Sequence, residues 1–276
     1  MTLHRVAVPG SILLLTLSIP TSGQNLERAR PLAVAPGTPQ SVTPQEPVTV
    51  VRPEITDEQL ADLYMVRKQY HEAAVVYKHL VDKDPHNAVY LNKLGIAMHQ
   101  QSALSQALKY YEKAFKADPS YADAENNVGT IWYQRKKYSK AIKAYQKAIE
   151  VNSDMAVLYS NLGYAYFGDL KYQESIAAFR QALSRDPLLF ERSGSRTGSV
   201  LQDRSVGDRG RFYFLLAKSF AQAGDTDRCI LYLRKAKDEG YKDFDEVKKD
   251  PAFAAVLKNP AIQEVLAPKP PDEPRL

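Results

Sequence analysis

Three glycines at equal steps constrain this 276-residue chain more than any other feature. Gly95, Gly129 and Gly163 are each 34 residues apart, and each follows an apolar residue (Leu94, Val128, Leu162). The same step joins Met98, Trp132 and Tyr166, then Tyr111, Tyr145 and Phe179, then Ala114, Ala148 and Ala182. It also joins Ala107 to Ala141, with Ser175 in the third position. Within one period the apolar residues recur at three and four, as on one face of a helix. Leu91, Leu94 and Met98 mark a first helix, and Leu104, Ala107, Leu108 and Tyr111 a second. The small Gly95 and Ala107 let the two helices approach, and the large Tyr111 and Met98 fill the space beside them. One such pair cannot bury its apolar face alone, but a stack of pairs can.

This order of small and aromatic residues at a period of 34 resembles the tetratricopeptide repeat. The resemblance implies an all-α solenoid, a right-handed superhelix of antiparallel helix pairs. Four repeats are expected over 54–187. The first is a weaker copy, with Leu60-Ala61 in place of Leu-Gly, Tyr64 in the aromatic position, and Ala73 and Tyr77 on its second helix. Thr56 with Gln59 predicts a capping box. Tyr70, Leu104, Tyr138 and Tyr172 share one position near the start of each second helix and read as packing between paired helices. Units close at Asp84-Pro85, Asp118-Pro119, Asn152-Ser153 and Asp186-Pro187. At the Asp-Pro pairs the aspartate is expected to cap the next helix and the proline to open its first turn.

After Pro187 the period breaks. Residues 188–209 form an insertion, with Leu188–Glu191 and Ser199–Gln202 as candidate strands of a short hairpin. It carries Arg192, Arg196, Arg204 and Arg209, which read either as a solvated loop or as an anion-reading patch. A fifth repeat is expected at 210–240, with Leu216-Ala217 and Phe220 in register and Cys229 at a small-residue position. A helical cap follows at 241–267, with helix starts at Asp243, Asp250-Pro251 and Asn259-Pro260. This tail resembles the segment that follows the repeats in exported bacterial proteins of the family. Residues 268–276 are Pro-rich and read as a disordered tail.

The N-terminus adds a destination. His4 and Arg5 precede a mainly apolar Ser11–Ile19 run, followed by small residues at 21–23, the outline of a signal peptide over 1–23, with a signal anchor or a misassigned start as the alternatives. Six prolines among small and polar residues make 24–53 a disordered linker. Export to the periplasm or the medium is expected, with no transmembrane span in the mature chain. The net charge of +5 is spread over well-mixed signs and does not by itself call for nucleic acid. With one cysteine, Cys229, there is no intrachain disulfide, and a buried small hydrophobe is the reading of that residue.

No catalytic constellation is present. His71-Glu72 is followed by His79, eight residues after His71, where a zinc helix needs the second histidine at four. Gly194–Gly198 lacks the Gly-Lys-Ser/Thr ending of a phosphate loop, and no Gly-x-Ser-x-Gly occurs. No enzyme, cofactor or metal is therefore expected. In the family resembled, first helices line a concave face that binds peptides. The register assigns to that face Asn92, Ile96 and His99, then Asn126, Thr130, Tyr133 and Gln134, then Ser160, Tyr164 and Phe167, and finally Phe214 and Lys218. The alternative for Tyr133, Tyr164 and Phe167 is packing under a neighbouring repeat or the insertion. Amides suit the backbone of an extended peptide, and aromatics pocket its side chains. The family's carboxylate-clamp subtype uses Lys and Arg at several of these positions, which are mostly uncharged here. The expectation is a scaffold or adaptor for a protein or peptide partner. The alternatives are a recognition module of an envelope secretion or transport machine, and anionic-polymer binding through the insertion arginines.

Overall fold

In the computed structural model, residues 55–190 and 208–267 are described. The expected signal segment 1–23, the linker 24–53, most of the insertion with its second candidate strand and Arg192, Arg196 and Arg204, and the tail 268–276 lie outside them; residues 188–190 of the first candidate strand are described and form a turn, not a strand. Every regular element among the described residues is helical. Helices α1 (Asp57–Val66) and α2 (Tyr70–Lys83) form one antiparallel pair, α3 (Ala88–Gln100) and α4 (Leu104–Ala117) the next. Then come α5 (Ala122–Gln134) with α6 (Tyr138–Val151), and α7 (Ala156–Gly168) with α8 (Tyr172–Arg185). A fifth pair, α9 (Arg209–Gln222) and α10 (Thr226–Asp238), packs on α8. Each helix packs mainly against its neighbours in the chain, the contact pattern of a solenoid.

The period is written into the turns. Lys68, Ser102, Lys136 and Leu170, again 34 apart, all have positive φ between 55° and 62° where the first helix hands over to the second. Gly224 holds this place in the fifth pair, at φ 79°. Only there is the left-handed turn free of a Cβ penalty. The next residue but one, Tyr70, Leu104, Tyr138 or Tyr172, starts the second helix.

The glycine period is a packing contact. A Cβ added at Gly95 or Gly129 would fall 2.6 Å from a ring carbon of Tyr111 or Tyr145, and Gly163 meets Phe179 in the same way. These three rings are fully buried. Where Phe179 lacks a hydroxyl, Ser175 on the same helix donates to the Gly163 carbonyl at 2.9 Å. In the fifth pair Ala217 and the buried Leu233 take the two positions, so a methyl gained on one helix is matched by a ring lost from the other.

The helix starts depart from expectation at the Asp-Pro pairs. Asp84, Asp118 and Asp186 close the preceding helix, and the next helix begins three residues after the proline in the first two cases. Their carboxylates bind the turn itself: Asp118 Oδ1 accepts from Ser120 N at 2.8 Å, and Asp186 Oδ1 from Leu188 N at 3.0 Å. An aspartate two residues before a free N–H closes an Asx-turn more readily than it reaches a helix further on. The Thr56–Gln59 capping box is present. At the C-terminal end α11 (Asp245–Lys249), a 3-10 turn (Pro251–Phe253) and α12 (Pro260–Leu266) lie over the last pair. Asp250 and Asn259 cap the last two, whereas Phe244, not Asp243, stands at the start of α11. Val247, Phe253, Ile262 and Val265 are buried by this cover. The N-terminal end differs: Leu63 is 36% exposed, while Ala97, Ile131 and Ala165 at its position in later layers are fully buried.

Candidate functional site

Asn92, Ile96 and His99 recur at four and three on α3, so they share one helical face. What they meet depends on the following layer. Asn92 is buried and accepts from Asn127 Nδ2 at 2.9 Å, while its own Nδ2 donates to the Tyr121 hydroxyl at 3.2 Å. One layer on, Asn126 Oδ1 accepts from Asn161 Nδ2 at 2.8 Å. Both bonds span 35 residues and tie one first helix to the next. The ladder stops where Ser160 would need an amide from the fifth pair, whose residue in that register is Leu215.

One rung is incomplete. Tyr121 stands just before α5, and the residue just before α7 is Met155, which has no hydroxyl. Asn126 Nδ2 is buried with no hydrogen-bond partner among the described residues. Beside it Thr130 is also buried; its hydroxyl donates to the Asn126 carbonyl at 3.1 Å and accepts from Tyr145 at 3.2 Å.

The accessible part of the stripe is Ile96, His99 and Gln134. His99 Nε2 donates to Gln134 Oε1 at 3.0 Å across the layers, and its Nδ1 accepts from the Tyr111 hydroxyl at 3.3 Å. Burial holds the His99 pKa below the ordinary histidine value, with Gln134 acting in the opposite direction. Gln134 is exposed and Ile96 and His99 are half-buried.

Further along, the expected groove is filled from within. Tyr133 lies edge-on to Tyr138 at 5.5 Å. Tyr164 stacks on Phe212 at 5.0 Å, and Phe167 meets the same ring edge-on at 5.6 Å. Phe214 stacks on Tyr241 at 4.5 Å, and Lys218 pairs with Asp250 of the cap. Asn126, Thr130, Tyr133, Ser160, Tyr164, Phe167 and Phe214 are all below a tenth exposed. Their side chains fill contacts within a pair (Thr130, Tyr133), between layers (Asn126, Tyr164, Phe167) or against the C-terminal cover (Phe214), in place of an open aromatic trough. Phe212, the ring on which this cluster converges, takes the position of the buried Leu158 one layer earlier, a core position outside the predicted groove stripe.

Elsewhere, Arg209 is held by Glu239 at 2.8 Å, which removes it from a free arginine patch. Cys229 is buried, and burial pushes its thiol up to about 12. Among the described residues no group of three or more His, Cys, Asp or Glu is placed to hold a metal ion. Nor is any helix among them long and apolar enough to cross a membrane.

Residues 129–169 match a family model described as TPR repeat, and residues 156–187 one described as Tetratricopeptide repeat. Among curated proteins none matches. Solved structures similar to this one include a crystal structure of MamA, at 22% identity over 67% of this chain and 97% of that one, with a TM-score of 0.47. MamA from Desulfovibrio magneticus RS-1 is similar at 18% identity over 66% and 92%, with a TM-score of 0.48. YrrB, described as a TPR protein with an unusual peptide-binding site, is similar at 16% identity over 70% and 90%, with a TM-score of 0.45.

Proposed function

We propose, on the premise that this chain is a tetratricopeptide-repeat protein, that it is a non-catalytic scaffold holding a peptide segment of a partner protein along its first helices. The observation that supports the reading is the cross-layer pair of His99 and Gln134, accessible beside Ile96 and next to the amide ladder. The exposed Gln134 amide offers its Nε2 donors and the second lone pair of Oε1 to an extended backbone, His99 orients that amide with both ring nitrogens engaged, and Ile96 offers apolar contact. The contact surface is thus the α3–α5 edge, narrower than the full stripe of twelve residues. Export remains part of the proposal and is supported by the apolar run and small residues of 1–23.

Selection of a displayed random-peptide library on the full chain, followed by calorimetry, tests the reading. Selected peptides are expected to lose about tenfold or more in affinity to the His99→Ala, Gln134→Ala double variant, with helicity unchanged. No enrichment, or equal affinity for both proteins, would reject it.

A further inference from the structure

A cleft of about 490 Å³ lies where α4, α5 and α6 meet, and none of the twelve groove residues lines it. The register explains why it is open in this layer. One layer earlier the positions of Ala144 and Glu125 are occupied by Tyr110, packed against the core, and Leu91, buried in it. One layer later the position of Ala144 is again an alanine, Ala178, but that of Glu125 is occupied by Tyr159, with the Arg185 guanidinium 3.9 Å over its ring. In the middle layer an alanine and a glutamate stand in these places. Phe115, Val128 and Trp132 are left as an apolar floor.

The rim is cationic. Lys140, Lys143 and Lys147 fall on one side of α6, and Lys116 faces them from α4. Lys147 Nζ lies 4.0 Å from the Phe115 ring centre and Lys140 Nζ 4.4 Å from that of Trp132, so both ammonium groups sit over the floor. The neighbouring layers do not repeat this set: the position of Lys116 is Asp82 or Glu150, and that of Lys140 is Gln106 or Glu174. Only Glu112 and Glu125 oppose the four lysines in the lining. Glu125 is buried and pairs, among the described residues, with Lys147 at 3.3 Å, a lysine half exposed to solvent.

We propose that this cleft is a second docking site, for an acidic segment of a partner protein that sets a large apolar side chain on Phe115 and Trp132 while its carboxylates take the lysines. Charge complementarity selects an acidic partner. The apolar floor and the buried Glu125 carboxylate select a peptide over a polyphosphate or nucleic acid, whose phosphates would leave the floor unused and meet Glu125 directly.

Trp132 is the single tryptophan of the chain, so its emission reports on the cleft. The probe is a synthetic peptide rich in Asp and Glu around one central Phe, titrated into the full chain. A saturable change in emission is expected. Affinity should fall about tenfold or more for Lys140→Gln with Lys143→Gln, and likewise when salt is raised from about 50 to about 300 mM. Ala144→Tyr, which restores the filling residue of the preceding layer, should abolish binding, and His99→Ala with Gln134→Ala should leave it unchanged. That last arm separates this site from the α3–α5 edge. The proposal is overturned by any of three results: no saturable change up to about 1 mM peptide, equal affinity for an Asn/Gln version of the peptide or for the lysine variant, or tighter binding of inorganic polyphosphate or single-stranded DNA.

Discussion

The layers α3–α6 and α7–α10 share one backbone plan and are joined by opposite chemistry. Between α3, α5 and α7 the first helices meet through buried amides, Asn92 with Asn127 and Asn126 with Asn161. Between α7 and α9 they meet through rings, with Tyr164 and Phe167 on Phe212, and Phe179 of α8 joins the same ring. The amide contact is directional, and each missing partner leaves a stranded dipole. The ring contact rests on buried area and tolerates a change in spacing. That difference suits their places. The amide rungs repeat at a constant 34-residue step. The rings bridge from α8 to α9, where the step is lost and the insertion intervenes.

Changes aimed at each chemistry should separate the two. Phe212→Ala opens the ring cluster and is expected to cost roughly 3–5 kcal/mol in urea unfolding; a loss well under that would mean that the cluster does not join these layers. Gly129→Leu drives a side chain into the Tyr145 ring and should cost roughly 1–3 kcal/mol, visible as a lowered melting temperature. Asn161→Leu strands the whole Asn126 amide and should cost about 1–3 kcal/mol, most of it recovered when Asn126→Leu is added. Met155→Tyr supplies the hydroxyl that Tyr121 supplies one layer earlier, and should gain about 1 kcal/mol. The smallest effect is on pH. Because burial depresses the folded His99 pKa, the unfolded chain takes up the proton first. Stability therefore falls as pH drops through about 6.5, and His99→Gln should flatten that slope in acid-side melts.

Most of the fold could be read from residue spacing. Gly95, Gly129 and Gly163 located the tight contacts, and Asp250 and Asn259 located cap helices, because each signal lies within one unit. The groove face is harder to read than the helices. Thr130 and Tyr133 are covered within their own pair, by Tyr145 and Tyr138 of α6, whereas Tyr164 and Phe167 are covered by Phe212 of the next pair. A 35-residue offset between asparagines, 92 to 127 and 126 to 161, was the available sign that these amides face each other. Asp-Pro favours a helix start at both residues, yet the aspartate closes a local turn first. The cleft at Ala144 and Glu125 becomes visible only when one layer is compared with its neighbours.

Amide hydrogen exchange resolved by helix tests most directly whether the layers differ as described. The pairs α3–α4 and α9–α10 are each covered on both sides, by repeats or by the cap, so end fraying does not separate them. The account predicts slower exchange in α9–α10, behind the aromatic joint, and Phe212→Ala should remove that advantage while leaving α3–α4 unchanged. Equal protection in the two pairs of the unaltered chain, or a Phe212→Ala effect spread evenly over all helices, would contradict it.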